Sequence, residues 1–248
     1  MTGTLVLLRH GESTWNREGL FTGWVDCPLS EKGREEAVAA GQVMVDEGLA
    51  PDVVHTSLLK RAIHTANLAL EVLDRDWIPV RRSWRLNERH YGALQGKNKK
   101  ETTAEHGEDK VKVWRRSYDV RPPPLSFDDP SHPRFDPRYA HVPPEMLPAS
   151  ECLADVVARM QPYWDDDIVT DLRAGRCTLV AAHGNSLRAL VKKLDGISDT
   201  DIAAVNIPTG VPRVYQFDDS LEVVGEPRYL GDAAAIEAAA EAVARQAG

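Results

Sequence analysis

Leu5-Val6-Leu7-Leu8 puts no polar side chain on either face of an extended chain. Such a strand must be covered from both sides, which happens routinely in a mainly parallel sheet with helices above and below it. The following segments supply the matching parts. Ser30 opens a helix with Glu31 and Glu35 in its first turns, Ala37, Ala40, Gly41 and Met44 on its apolar face, and Gly48 at its end. Residues 52–56 read as a second strand. Ser57 is expected to cap a helix with Leu59, Ile63, Ala66 and Leu70 on one face, and 78–81 form a third strand. Residues 177–182 (C-T-L-V-A-A) form a fourth strand, followed by a helix from about Ser186 to Leu194, while 211–217 and 221–224 are expected as edge strands. This alternation predicts an α/β three-layer sandwich, a mainly parallel sheet flanked by helices on both faces.

Two segments break the rhythm. Residues 96–120 are charged and helical in character, and 121–148 carry Pro122, Pro123, Pro124, Pro130, Pro133, Pro137, Pro143, Pro144 and Pro148. The prolines forbid a helix or a central strand there. In a single domain spanning 1–248, a stretch of this length reads as a lid-like insertion at about 96–148. Pro162 predicts a kink near Met160, and the Ala-rich tail from about 232 predicts a terminal helix. No apolar run approaches the ~20 residues of a membrane span. No basic leader precedes Leu5, and Cys27, Cys152 and Cys177 form neither a disulfide framework nor a zinc pattern. A cytoplasmic protein is expected. A net charge of −8 argues against nucleic acid and acidic membranes as partners. An anionic small substrate then needs cations gathered locally, and Arg9, Arg61, Arg115 and Arg116 are the candidates.

The first strand runs into Arg9-His10-Gly11-Glu12-Ser13. Ligands of open α/β sheets bind beyond the carboxyl ends of the strands, so His10 stands where chemistry is expected. An imidazole nitrogen can attack phosphorus and form a phosphoramidate. Arg9 can hold phosphate oxygens by paired charged hydrogen bonds, Gly11 leaves room for a phosphate near the backbone, and Ser13, Thr14 and Asn16 add uncharged donors. The fourth strand repeats the logic in His183-Gly184-Asn185-Ser186, where a helix start can receive anionic oxygen and His183 can stabilise developing charge. Arg61 lies near the start of the helix after the second strand, at the same sheet edge. Glu88, after the third strand, is the best-placed general acid and base. Each has an ordinary alternative: a surface Arg-His pair, a solvated helix arginine, a paired glutamate. Arg115 and Arg116 point about 100° apart on a helix and converge only if their long side chains bend together near its end.

Taken together, Leu8 to Ser13, Trp15-Asn16, Phe21-Thr22-Gly23-Trp24, Leu86 to Gly96, Trp114-Arg115-Arg116-Ser117-Tyr118, His183 to Arg188 and Asn206 to Gly210 resemble the 2,3-bisphosphoglycerate-dependent phosphoglycerate mutases of the histidine phosphatase superfamily. The resemblance implies a metal-independent cytoplasmic isomerase of glycolysis and gluconeogenesis. It would interconvert 3-phosphoglycerate and 2-phosphoglycerate, primed by 2,3-bisphosphoglycerate, as a homodimer or homotetramer. It further implies His10 as phosphorylated nucleophile, Glu88 as proton donor and His183 as transition-state stabiliser. Arg9, Asn16, Arg61, Gly184 and Asn185 would hold the transferring group, and Ser13, Thr22, Gly23, Tyr91, Lys99, Arg115 and Arg116 the rest of the ligand. A broad-specificity phosphatase of the same superfamily is the alternative, but such enzymes usually lack the Trp-Arg-Arg segment. A binding module that has lost catalysis is disfavoured by the joint presence of His10, Glu88 and His183. Lys97, Arg121 and 148–152 depart from the family pattern.

Overall fold

The computed structural model describes residues 3–247. β1 (Gly3–Arg9), β2 (Val53–Thr56), β3 (Val80–Arg82), β4 (Cys177–Ala182), β5 (Pro212–Phe217) and β6 (Val223–Tyr229) form one sheet in the order β3-β2-β4-β1-β5-β6. The first four of these neighbours are parallel, and β5 and β6 are antiparallel additions. The expected mainly parallel sandwich is what the chain forms.

The strand pleat explains the layers. Leu5 and Leu7 of β1 point to one face, where they pack with α6 (Leu153–Tyr163), α7 (Val169–Arg173) and α8 (Gly184–Leu194). Val6 and Leu8 point to the other, against α2 (Glu31–Asp46) and α3 (Lys60–Val72). All four are buried, and each contributes roughly 1.5–3 kcal/mol of transfer free energy.

α2 starts as read: the Ser30 side chain accepts from Gly33 N, and Gly48 turns the chain away with φ +66°. Five expectations need correction. Ser57 does not cap α3, which begins at Lys60 behind Leu59. The Ser57 hydroxyl accepts from Leu59 N at 3.1 Å and bonds His183 Nε2 at 2.8 Å instead. The third strand is shifted to Val80–Arg82. α8 begins at Gly184 rather than near Ser186, because His183 already has the extended backbone of an N-cap. β5 is an interior strand between β1 and β6. β6 runs to Tyr229, five residues past the expected end, through Gly225 and Pro227, which an edge strand tolerates. Near Pro162 the irregularity follows the proline: α6 continues into a π-helical turn at Trp164–Ile168 before α7.

Residues 96–120 contain α4 (Lys99–His106) and α5 (Glu108–Arg116). The proline-rich stretch has neither α-helix nor strand, but it is tied down by short 3₁₀ turns at Pro133–Phe135, Pro137–Tyr139 and Pro144–Met146. Tyr139, Val142 and Leu147 from it bury themselves against Trp24 and Trp84. Of the departures from the family pattern, Lys97 is exposed and Arg121 pairs with Asp155, but 148–152 runs inward: Glu151 is buried, paired with Arg159, and accepts from His90 N at 2.8 Å. The tail is helical over α9 (Ala233–Ala247), with Asp232 accepting from Ala235 N at 2.9 Å. Among the described residues no helix is long and apolar enough to cross a membrane.

Candidate active site

Sheet register brings the two imidazoles together. Arg9 on β1 pairs with Ala182 on β4, so the next residues, His10 and His183, leave adjacent strands side by side. His10 N donates to Ala182 O at 2.9 Å, and the ring centroids are 5.0 Å apart, edge to face. Thr56 pairs with Ala181 on the other flank of β4, which brings Ser57 to His183.

His10 Nδ1 lies 2.7 Å from Gly11 O. A carbonyl can only accept, so Nδ1 carries the proton and the Nε2 lone pair faces Arg61, whose Nε–H lies 3.3 Å away. Burial, then Arg61 and Arg9, push the His10 pKa well below 6.5, and the ring is neutral at physiological pH. Burial acts in the same direction on His183, with Arg61, His10, Arg9 and Arg159 adding to it. His183 Nδ1 has no hydrogen-bond partner among the described residues.

Gly11 performs a different task from the one expected. A Cβ there would lie 2.1 Å from Gly33 O, and one on Gly33 would lie 2.0 Å from Glu12 O. The glycines let the first turn of α2 press on the His10 loop; the space belongs to backbone, not to ligand.

A pocket opens over His10. Of the expected ligand residues, Arg9, Asn16, Thr22, Gly23, Arg61, Glu88, Tyr91, Lys99, Arg115, Arg116, Gly184 and Asn185 line it. Ser13 does not. Its hydroxyl caps α1 (Thr14–Arg17), accepting from Asn16 N at 3.1 Å and donating to Asn16 Oδ1 at 2.9 Å. That bond turns the Asn16 oxygen inward and leaves its amide nitrogen for the pocket.

Arg61 is 1% exposed and gives Nη1 to Val25 O and Nη2 to Gly23 O, which fixes its charge beside His10. Arg9 gives Nη1 to Ile207 O, whereas its buried Nε, like Thr22 Oγ1, finds no partner among the described residues. Arg115 and Arg116 are the last two residues of α5, where they converge as their reach allows; Arg116 Nη2 donates to Asn206 Oδ1 at 2.9 Å. Arg89, fully buried, donates to the carbonyls of Trp114 and Arg115 and fixes that helix end.

Cation crowding shows in the titrating groups. Burial, followed by repulsion from Arg115 and Arg9, brings Lys99 down to about 8. Burial alone would raise Tyr91, but Arg89 and Arg115 outweigh it and bring the phenol to about 8. Glu88 is the one carboxylate lining the pocket among the described residues. Its Oε1 accepts from Arg89 N, Asn185 Nδ2 and Asn185 N at 2.8, 2.9 and 3.1 Å. Leu20, Phe21, Arg188, Val205, Asn206, Ile207 and Val243 also line the pocket and were not in the expected set. Arg188 had a usable signal, lying one helical turn beyond Gly184-Asn185, and Asn206 and Ile207 lie in the 206–210 segment already singled out; Val205 and Val243 of α9 are brought in by tertiary structure alone.

Residues 5–142 match the pattern of the histidine phosphatase superfamily (branch 1). A 2,3-bisphosphoglycerate-dependent phosphoglycerate mutase of Thermobifida fusca (strain YX) is 62% identical over 98% of this chain and 98% of its own. One of Cutibacterium acnes is 61% identical over 99% of both. Among solved structures, a mycobacterial hydrolase superposes with a TM-score of 0.69 at 24% identity, covering 94% of this chain and 98% of its own. A mycobacterial glucosyl-3-phosphoglycerate phosphatase superposes with a TM-score of 0.67 at 25% identity, covering 92% of this chain and 97% of its own. At that distance the solved structures speak to the fold alone, whereas the full-length sequence relatives speak to the family. The chain belongs to the histidine phosphatase superfamily and, within it, to the 2,3-bisphosphoglycerate-dependent phosphoglycerate mutases.

Proposed function

We propose that this chain interconverts 2-phosphoglycerate and 3-phosphoglycerate through a phosphohistidine at His10. The observation that carries the reading is a neutral imidazole, its Nδ1–H fixed on a carbonyl, facing a pocket walled by six cationic side chains: Arg9, Arg61, Lys99, Arg115, Arg116 and Arg188. The unpartnered Arg9 Nε and Thr22 Oγ1 are donors suited to phosphate oxygens, and 2,3-bisphosphoglycerate supplies the first phosphoryl group.

Nε2 of His10 attacks phosphorus, the bond to the ester oxygen breaks, and Glu88 gives that oxygen a proton. Arg9, Asn16, Arg61 and the Gly184 amide at the start of α8 hold the transferring oxygens as charge builds, with His183 as a further donor, while both nitrogens of Asn185 stay on Glu88. In the second half Glu88 takes the proton from the free hydroxyl of 3-phosphoglycerate, that oxygen attacks the phosphohistidine, and the N–P bond breaks to give 2,3-bisphosphoglycerate. The bisphosphate, turned round in the pocket, returns its other phosphoryl group to His10 and leaves as 2-phosphoglycerate. Arg115, Arg116, Lys99 and Tyr91 hold the carboxylate and second phosphate. The segment 96–148 supplies α4 and α5 to the pocket wall and acts as a lid that keeps water from the phosphohistidine.

The experiment is incubation with labelled 2,3-bisphosphoglycerate. An acid-labile, base-stable adduct should map to His10, and His10→Ala should lose both the adduct and turnover; full turnover by that variant would exclude the covalent route. Hydrolysis of the bisphosphate without isomerisation would instead favour the phosphatase reading. We assign the enzyme to the cytoplasm as a homodimer or homotetramer; sedimentation at the mass of one chain would overturn that assembly.

A further inference from the structure

Among the described residues Glu88 receives three hydrogen bonds, all on one oxygen. Two come from backbone amides, which cannot turn round; the third comes from the Asn185 carboxamide, which can. Rotated by half a turn, that carboxamide would present an acceptor to Glu88 instead of a donor. The group that fixes it is Arg188. A guanidinium has only donors, and Nη1 of Arg188 lies 3.1 Å from Asn185 Oδ1. The oxygen of the carboxamide must therefore face Arg188, and its nitrogen must face Glu88. Arg188 is itself held, since Nη2 donates to Ile202 O and the side chain is 5% exposed.

We propose that Arg188 is a positioning residue for phosphoryl transfer: by orienting the Asn185 carboxamide it keeps Oε1 of Glu88 an acceptor and leaves the exchangeable proton to Oε2. That second oxygen lies 3.6 Å from where a Cβ on Gly184 would stand, a position that is also 3.4 Å from the Arg9 guanidinium. Without Arg188 the carboxamide can turn. Its Oδ1 then takes the hydrogen bond of a protonated Glu88, and the acid holds its proton away from the departing oxygen. The inference rests on Glu88 as proton carrier.

The test is Arg188→Met, alone and in a Glu88→Gln background, followed by single-turnover transfer from the phosphorylated enzyme to 3-phosphoglycerate and by steady-state kinetics. The single variant should lose roughly 10- to 100-fold in kcat with KM changed by less than about threefold, the size of effect that misplacing a reacting group produces. In the Glu88→Gln background the further loss should be under about twofold, because the two residues act through one hydrogen-bond chain. Arg188→Lys, which keeps a donor, should recover part of kcat, and it carries the comparison if the methionine variant does not fold. A raised KM at unchanged kcat would make Arg188 a ligand-binding residue. An equal loss in both backgrounds would show that it does not act through Glu88, and either outcome overturns the proposal. Full activity of Glu88→Gln alone would sink the role of Glu88 instead.

Discussion

His10 donates a hydrogen bond from Nδ1–H to the Gly11 carbonyl, and Arg61 stands on the other side of the ring. Arg61, which adds to burial in holding the ring neutral, would on the proposed route also meet phosphoryl oxygens once Nε2 has reacted, so that one fixed charge would serve both states of the ring. If Lys99 and Tyr91 hold the ligand as proposed, their shifts to about 8 would make its capture depend on pH. Above that value Lys99 loses its positive charge and Tyr91 gains a negative one, and each change weakens the hold on an anion. We expect kcat/KM for 3-phosphoglycerate to fall as pH rises through about 8. The fall should be smaller in Lys99→Arg, which stays charged; pH–rate profiles of the two proteins provide the check.

The strand-helix boundaries decide which residues reach the pocket. β1, β4 and α2 were legible in the sequence because each carries its own signal: apolar runs for the strands, and Ser30, a periodic face and Gly48 for the helix. The meeting of His10 with His183 was anticipated from two strand-end His-Gly pairs, but the Arg9–Ala182 register that sets their distance is a long-range pairing with no local trace. Gly33 is the clearest case of a hidden requirement. Within α2 it looks like a weak helix residue, and only the fold shows the Glu12 carbonyl against it. Gly33→Ala should destabilise the protein by about 1–3 kcal/mol by overpacking, and by displacing the His10 loop it should cut kcat/KM on the order of 10²-fold. Gly48→Ala, at φ +66° with open space around it, is the control: it should cost about 1–2 kcal/mol of strain and leave kcat/KM as it was. Thermal melts paired with kinetics separate the two.

At the scale of the whole molecule, a net charge of −8 coexists with a pocket lined, among the described residues, by six cations and one carboxylate. The bulk of the surface repels the substrate and the mouth of the pocket attracts it, so attraction operates over a short range. Salt screens charges over about 8 Å at physiological ionic strength. Raising ionic strength should therefore lower kcat/KM while leaving kcat much less affected, because groups already in contact are poorly screened. A kcat/KM independent of salt would mean that capture relies on contact hydrogen bonds alone.

The two imidazoles ride on hydrogen-bonded neighbours in the middle of a six-stranded sheet, with helices packed on both faces. Their separation is therefore as stiff as the sheet itself. A catalytic cycle that must admit an anion, let it present a second oxygen and release it cannot draw that freedom from the reacting pair. It has to come from the opposite wall, where the 20–23 loop, α4, α5 and the 205–207 loop approach from outside the sheet. Such an architecture predicts that stiffening the outer wall, not the floor, would slow turnover.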